Sequence, residues 1–252
     1  GYGILRINFP LLVTTGSTHT VIMVLAGLGF ISIIYGALCA LAQTDFKKMV
    51  AYSSVSHMGY VLLGIAAMTP ESINGAIFQM FNHGLSAAMM FLLVGVVYDR
   101  AHHRDLRRFG GIALQMPQYF ALSIVGFFAA LGLPGLNGFI SEAMVFLGSF
   151  KSEAVRPFVI ASSLGLVLTA SYILWAMQRV YMGKLKPEYA SFPDLTMREY
   201  VMLVPLAIGC ILFGIYPKLM LDVFAPATDV FVKIVQAGSH TITLVAQNGA
   251  GF

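Results

Sequence analysis

The sequence predicts an all-α fold, a polytopic transmembrane helical bundle with one helix broken at 132–138. Three observations carry that prediction. Of 252 residues, 58% are hydrophobic and only 10% charged, and the mean hydropathy of +0.81 exceeds what one water-soluble core can use. Apolar runs of about 20 residues, the length that crosses ~30 Å of hydrocarbon as helix, recur between short charged loops. One of these runs is far too long and contains "LGLPGLNG" at its centre.

In chain order, residues 1–13 look helical and apolar but begin abruptly, with no Met and no polar flank, as a fragment entering in mid-helix would. Spans are then predicted at 21–43, 49–68, 72–98, 117–150, 158–182 and 200–221. As one helix, 117–150 would be about 50 Å long at ~1.5 Å per residue, well beyond the hydrocarbon layer. Pro134 removes a backbone donor, and Gly132, Gly135 and Gly138 permit the dihedrals of an unwound linker, so the break is predicted there. The segment after Pro217 reads differently. "DVFVKIVQAGSHTITLV" is amphipathic, which predicts a tail over 223–252 lying along the membrane surface or a partner subunit, outside a transmembrane domain of 1–222. No signal peptide is visible, and Cys39 and Cys210 are isolated in apolar helices, which speaks against disulfides and iron–sulfur ligation.

If successive helices alternate direction, the loops at 44–48, 99–116 and 183–199 share one side. They hold "TDFKKM", "DRAHHRDLRRFGG" and "GKLKPEYASFPDLTMRE". The opposite loops carry fewer basic residues, so the basic side is cytoplasmic, or the matrix side in an organelle. The net charge of +4 is then topological and needs no nucleic-acid partner. The cluster Arg100, Arg104, Arg107 and Arg108 has contact with lipid headgroups or a neighbouring subunit as its alternative reading.

Ionisable groups at membrane depth cost roughly 2.5 kcal/mol or more, so each needs an explanation. His57 lies mid-span, with Ser53 and Tyr60 on the same helical face. His83 lies mid-span in the next helix, where Gln79, His83 and Ser86 form a narrow polar stripe beside the small residues Gly84, Ala87 and Ala88, which would let another helix or a file of water approach closely. Each histidine reads either as interhelical hydrogen-bonding glue or as a proton carrier, since imidazole titrates near 6.5 without a large shift. Two such stripes on consecutive helices favour a hydrated path. Glu142 follows the break, on the second half-helix, towards the side opposite the basic loops. Its alternatives are a structural ion pair and a proton-exchanging carboxylate. Lys47, at the basic end of a helix, carries a weaker expectation as the point where protons enter. Asp45 is placed to pair with it, and Lys48 reads as an ordinary snorkelling lysine.

"LAQTDFKKMVAYSSVSHMGYVLLGI", "QMFNHGLSAAMMFLLVGVVYDRAHHRDLRRFGG" and "LGLPGLNGFISEAMVFLGSF" together resemble the antiporter-like membrane subunits of respiratory complex I. The resemblance extends over essentially the whole chain. It implies a longer subunit of about fourteen helices with two inverted repeats, each containing a broken helix, of which this chain would be the last part. His57, His83 and Glu142 would then belong to a hydrophilic axis and its half-channel to the periplasm, while further key glutamate and lysine residues would lie upstream of Gly1. Related subunits carry lysine where this chain has Glu142. The resemblance further implies proton translocation driven by quinone reduction elsewhere, in a bacterial inner membrane, beside neighbouring antiporter-like chains. It implies no cofactor or metal on this chain; NADH, FMN, iron–sulfur clusters and quinone would belong to partner subunits. The alternatives are a subunit of a multi-subunit sodium/proton antiporter or a membrane-bound hydrogenase, or a structural scaffold whose polar residues only join helices.

Overall fold

In a computed structural model, residues 1–9, 11 and 18–249 are described, and among them the protein is helical, with no strand beyond an isolated bridge between Asp45 and Asp105. Residues 10, 12–17 and 250–252, which include the end of the predicted helical segment 1–13 and the last residues of the predicted tail, lie outside the described residues. A π-helical turn, Ile4–Asn8, precedes α1 (Thr18–Leu41), α2 (Phe46–Ala67) and α3 (Pro70–Ala101). A single turn at Ile112–Gln115 leads into α4 (Pro117–Leu131) and α5 (Asn137–Phe150). These are followed by α6 (Arg156–Ser162), α7 (Leu164–Tyr181), α8 (Met197–Ile215) and α9 (Lys218–Gly249).

The helix boundaries follow from local chemistry. Asp45 caps α2 by accepting from the Lys48 N–H at 3.0 Å. Thr69 and Ser72 form a capping box ahead of α3, with Pro70 in its first turn, and Thr196 and Glu199 do the same for α8. The predicted 200–221 span ends earlier, at Ile215, because Tyr216 precedes Pro217 and leaves the helical region with φ −127° and ψ 67°. The predicted 158–182 span is two helices stacked nearly end to end, jointed at Ser163.

Among the described residues, five segments are long and apolar enough to cross a membrane: Thr18–Leu41, Phe46–Ala67, Pro70–Ala101, Arg156–Tyr181 and Met197–Ile215. The broken pair α4 and α5 supplies another crossing in two halves, with the linker at 132–136 and Gly138 already inside the first turn of the second half. Because neighbours alternate in direction, the loops at 42–45, 102–116 and 182–196 gather at one end. Arg104, Arg107, Arg108, Lys184 and Lys186 are all in those loops.

Small residues set the tightest contacts. At Gly36 of α1 an added Cβ would sit 2.7 Å from the Ser56 nitrogen of α2, and the Ser56 hydroxyl donates to the Ile33 carbonyl at 2.9 Å. α2, α3 and α5 surround a common interior, while α9 lays Phe231, Val232 and Val235 against Val61, Ile65, Ile73 and Ala76. The first part of the predicted tail is thus a helix seated on the flank of α2 and α3.

Candidate functional site

The three ionisable residues singled out by their depth converge. Nδ1 of His57 in α2 lies 3.1 Å from Oε1 of Glu142 in α5, with side chains only 2% and 6% exposed. Nε2 of Gln79 in α3 donates to the same carboxylate oxygen at 3.4 Å. The His83 ring stands 5.3 Å from the His57 ring, centroid to centroid. On the far side, the Tyr172 hydroxyl of α7 lies 3.5 Å from His57 Nε2. With the His57 proton on Nδ1, the ring donates to Glu142 and accepts from Tyr172, so both nitrogens are engaged.

Glu142 occupies the second turn of α5, level with His57 and Gln79. There the carboxylate is buried where α2, α3 and α5 meet, against the folded linker. Gly132 turns the end of α4 with φ +80°, and a Cβ there would lie 3.2 Å from Glu142 Oε2. At Gly138 a Cβ would collide with the Ala129 carbonyl, and at Gly214 of α8 one would collide with the linker backbone. Glycine at these positions lets the two half-helices and α8 close on one another.

A second layer of hydrogen bonds holds α5 to α3. Asn82 donates to the Asn137 carbonyl at 2.9 Å and to the Ser141 hydroxyl at 3.1 Å, and Asn137 donates back to the Asn82 carbonyl at 3.3 Å. Ser141 donates to Gln79 Oε1 at 2.5 Å, which turns the Gln79 amide nitrogen towards Glu142. A small cavity of about 10 Å³ lies among His57, Gln79, His83, Ser86 and Glu142. That is on the order of the room one water needs.

The remaining predicted residues divide. Ser86 lines the cavity. Ser53 is buried but spends its hydroxyl on the Val50 carbonyl at 2.7 Å, and Tyr60 is buried with its ring 6.4 Å from that of His57. Tyr60 Oη has no hydrogen-bond partner among the described residues. Pro134 and Gly135 lie exposed in the linker. Gly84 and Ala88 are exposed and no neighbouring atom approaches Gly84, so the expected close approach at this stripe is replaced by one at Gly75, where a Cβ would meet the Val145 nitrogen at 2.7 Å. Lys47 is exposed, apart from the cluster. Asp45 does not pair with it: as the cap of α2 its carboxylate turns over the helix start and meets Arg104 Nε at 3.3 Å.

Sequence reasoning missed Asn82, Ser141 and Tyr172. Asn82 stands three residues from Gln79 on the same face, a signal that was present; Tyr172 is an aromatic in an apolar helix and carried none. It also missed the second buried pair. Arg100 grips Glu199 with two parallel bonds of 2.7 and 2.8 Å and donates to the carbonyls of Val96, Pro193 and Asp194. Asp194 in turn caps α4, accepting from the Gln118 and Tyr119 N–H groups at 3.0 and 3.1 Å. Nearby, partial burial lowers the His103 imidazole pKa and pushes the Tyr189 phenol up. His103 Nε2 and Tyr189 Oη lie 3.0 Å apart.

Chemically, the central cluster can hold and exchange protons. Histidine and carboxylate share a hydrogen bond in an almost fully buried site, and moving a proton from one to the other leaves the net charge of the pair unchanged. Among the described residues no group of three or more His, Cys, Asp or Glu could hold a metal ion.

Subunit M of F(420)H(2) dehydrogenase from Methanosarcina mazei is 42% identical over 93% of this chain and 47% of its own length. NADH-quinone oxidoreductase subunit M of Rhodobacter capsulatus is 39% identical over 100% of this chain and 48% of its own. The chain therefore spans about half the length of the curated relatives it matches. A chain of respiratory complex I from Thermus thermophilus with bound NADH superposes with a TM-score of 0.84 at 28% identity, covering 93% of this chain and 49% of that one. Residues 1–169 match the family model described as NADH:quinone oxidoreductase/Mrp antiporter, transmembrane. With its broken helix and buried His57–Glu142 pair, the chain belongs to the NADH:quinone oxidoreductase/Mrp antiporter transmembrane family.

Proposed function

We propose that this chain is part of a proton-translocating membrane subunit of an NADH-quinone oxidoreductase, driven by quinone reduction elsewhere in the assembly. The observation that carries the reading is the buried His57–Glu142 contact at 3.1 Å, beside His83 and a one-water cavity, at a helix break. An apolar bundle gains nothing in packing from two histidines and a carboxylate at mid-depth, whereas proton transfer needs groups of this kind. The His83 and His57 rings stand 5.3 Å apart, centroid to centroid, beside the cavity, and in this reading a proton passes between them through it, then along the direct contact to Glu142. The Gln79 amide donates to Glu142 and orients its carboxyl group. Lys47, exposed on the basic side, is the point of entry.

Partners in this reading are other membrane subunits of the complex, above all neighbouring antiporter-like chains. The location is a bacterial inner membrane, with the basic loops cytoplasmic. This chain carries no cofactor; NADH, FMN, iron–sulfur clusters and quinone belong to partner subunits. A second reading, favoured by the 42% identity to subunit M of F(420)H(2) dehydrogenase, keeps the same membrane chemistry with a different electron donor.

The test is Glu142→Gln in the full-length subunit within its native assembly, with proton pumping into vesicles measured beside NADH-quinone turnover. Pumping should fall at least about tenfold with the assembly intact; unchanged pumping would defeat the reading. The donor is settled by which of NADH or reduced F420 the purified assembly oxidises.

A further inference from the structure

Cations at the basic end fall into two groups. Arg100 and Arg104 are held by Glu199 and Asp45. A short distance away, a cleft of about 480 Å³ opens between the loop after α3 and the end of α7. Arg107, Arg179, Lys184 and Lys186 line it with Phe109 and Met182, and no acidic residue does. None of the four cations pairs with a carboxylate among the described residues. Lys186 is steadied by the Arg108 carbonyl at 2.5 Å, and Arg179 by the face of Trp175, 4.8 Å from the ring centroid.

The cleft sits at the end of a membrane-spanning segment, and what lies below it matters as much as its charge. On the outer face of α7, Val167 is 61% exposed and Leu174 49%, two turns apart, and they form a short apolar ridge leading towards the cleft, with the exposed Ser171 and Gln178 beside it. Met182, 54% exposed and just past the end of the helix, lines the cleft itself. A small free anion would use the cations and leave the ridge idle. An amphiphile with an anionic head uses both.

We infer that this cleft binds the phosphodiester headgroup of an anionic phospholipid of the same leaflet, with an acyl chain along Leu174 and Val167. Cationic pockets at the interface concentrate such lipids, and each unpaired cation adds to the attraction. The site is independent of the proton path and would stand if that reading failed.

The experiment uses the full-length protein in its native assembly, delipidated in detergent and then offered mixed micelles containing phosphatidylglycerol or phosphatidylcholine. Native mass spectrometry counts retained lipid. R179Q/K184Q is compared with K48Q/R198Q, which removes the same charge from exposed positions on the same face outside the cleft. Wild type and K48Q/R198Q should retain phosphatidylglycerol in preference to phosphatidylcholine, and R179Q/K184Q should retain it roughly tenfold more weakly. Melting temperatures show that the variants are folded, and the charge-preserving R179K/K184R should keep the lipid. Equal retention in the two neutralised variants would overturn the inference, since the cations would then serve topology alone. So would displacement by excess inorganic phosphate with no preference between the two lipids, which would mark a free-anion site.

Discussion

Two buried acid–base pairs lie at different depths of this bundle and are built on opposite terms. At the centre, Glu142 meets a histidine through one contact of 3.1 Å and a glutamine through one of 3.4 Å, next to a small cavity. At the basic end, Glu199 meets an arginine through two bonds of 2.7 and 2.8 Å, and the guanidinium is saturated by three backbone carbonyls. Imidazole can give up its charge near neutrality, and guanidinium cannot. The central pair is thus able to switch, and the end pair is locked.

The comparison predicts separable phenotypes. The largest effect on stability belongs to Arg100→Ala, which leaves Glu199 without its partner and should cost about 3–5 kcal/mol. Thermal unfolding of the purified assembly measures it, and the double variant R100A/E199A should recover much of the loss. If Arg100→Ala melts like wild type, the pair is not a lock. Glu142→Gln should do the reverse, shifting stability by no more than about 1 kcal/mol because the amide keeps the shape and a hydrogen bond to His57, while proton flux collapses. A large drop in melting temperature there would make the central pair structural and erase the contrast.

Between these extremes stands Gly138→Ala, whose new methyl meets the Ala129 carbonyl. Separating the half-helices should cost about 1–3 kcal/mol and reduce proton flux as well, since Glu142 rides on the same helix. Unaltered flux would show that the break tolerates spreading. The smallest effect is a pH response at the basic end. The pKa of His103 is lowered by burial, so the folded loop binds its proton less readily than the unfolded one. Its contribution is complete above the unfolded pKa near ~6.5 and is lost as pH falls through that value towards the folded pKa. The hydrogen-exchange protection factors of residues 102–111, taken relative to the intrinsic rate at each pH, should therefore fall below about pH 6.5, and His103→Phe should abolish that dependence.

What was legible in the sequence was legible because it is local. The break was readable from Pro134 and three glycines in seven residues, and the central ionisable residues from their depth in apolar runs. Where the local signal was partial, the reading slipped: Asp45 looked like a partner for Lys47 two positions on, but a helix cap turns over the next turn and leaves its free oxygen to another loop. Gly84 looked like a contact point for the same kind of reason, because a small residue permits a close approach without requiring one.

By itself, the sequence determined the solvent, the spans, the handedness of the charge distribution across the membrane and the identity of His57, His83 and Glu142 as candidates. Composition and spacing along one helix suffice for those, since a bilayer imposes length, apolarity and internal hydrogen bonding on every crossing. Tertiary structure alone decided the pairings. His57 and Glu142 are 85 positions apart and Arg100 and Glu199 are 99 apart. Which of several buried groups meet depends on how half-helices and their neighbours dock, and here that rests on glycine contacts and hydrogen bonds whose partners are far away in sequence.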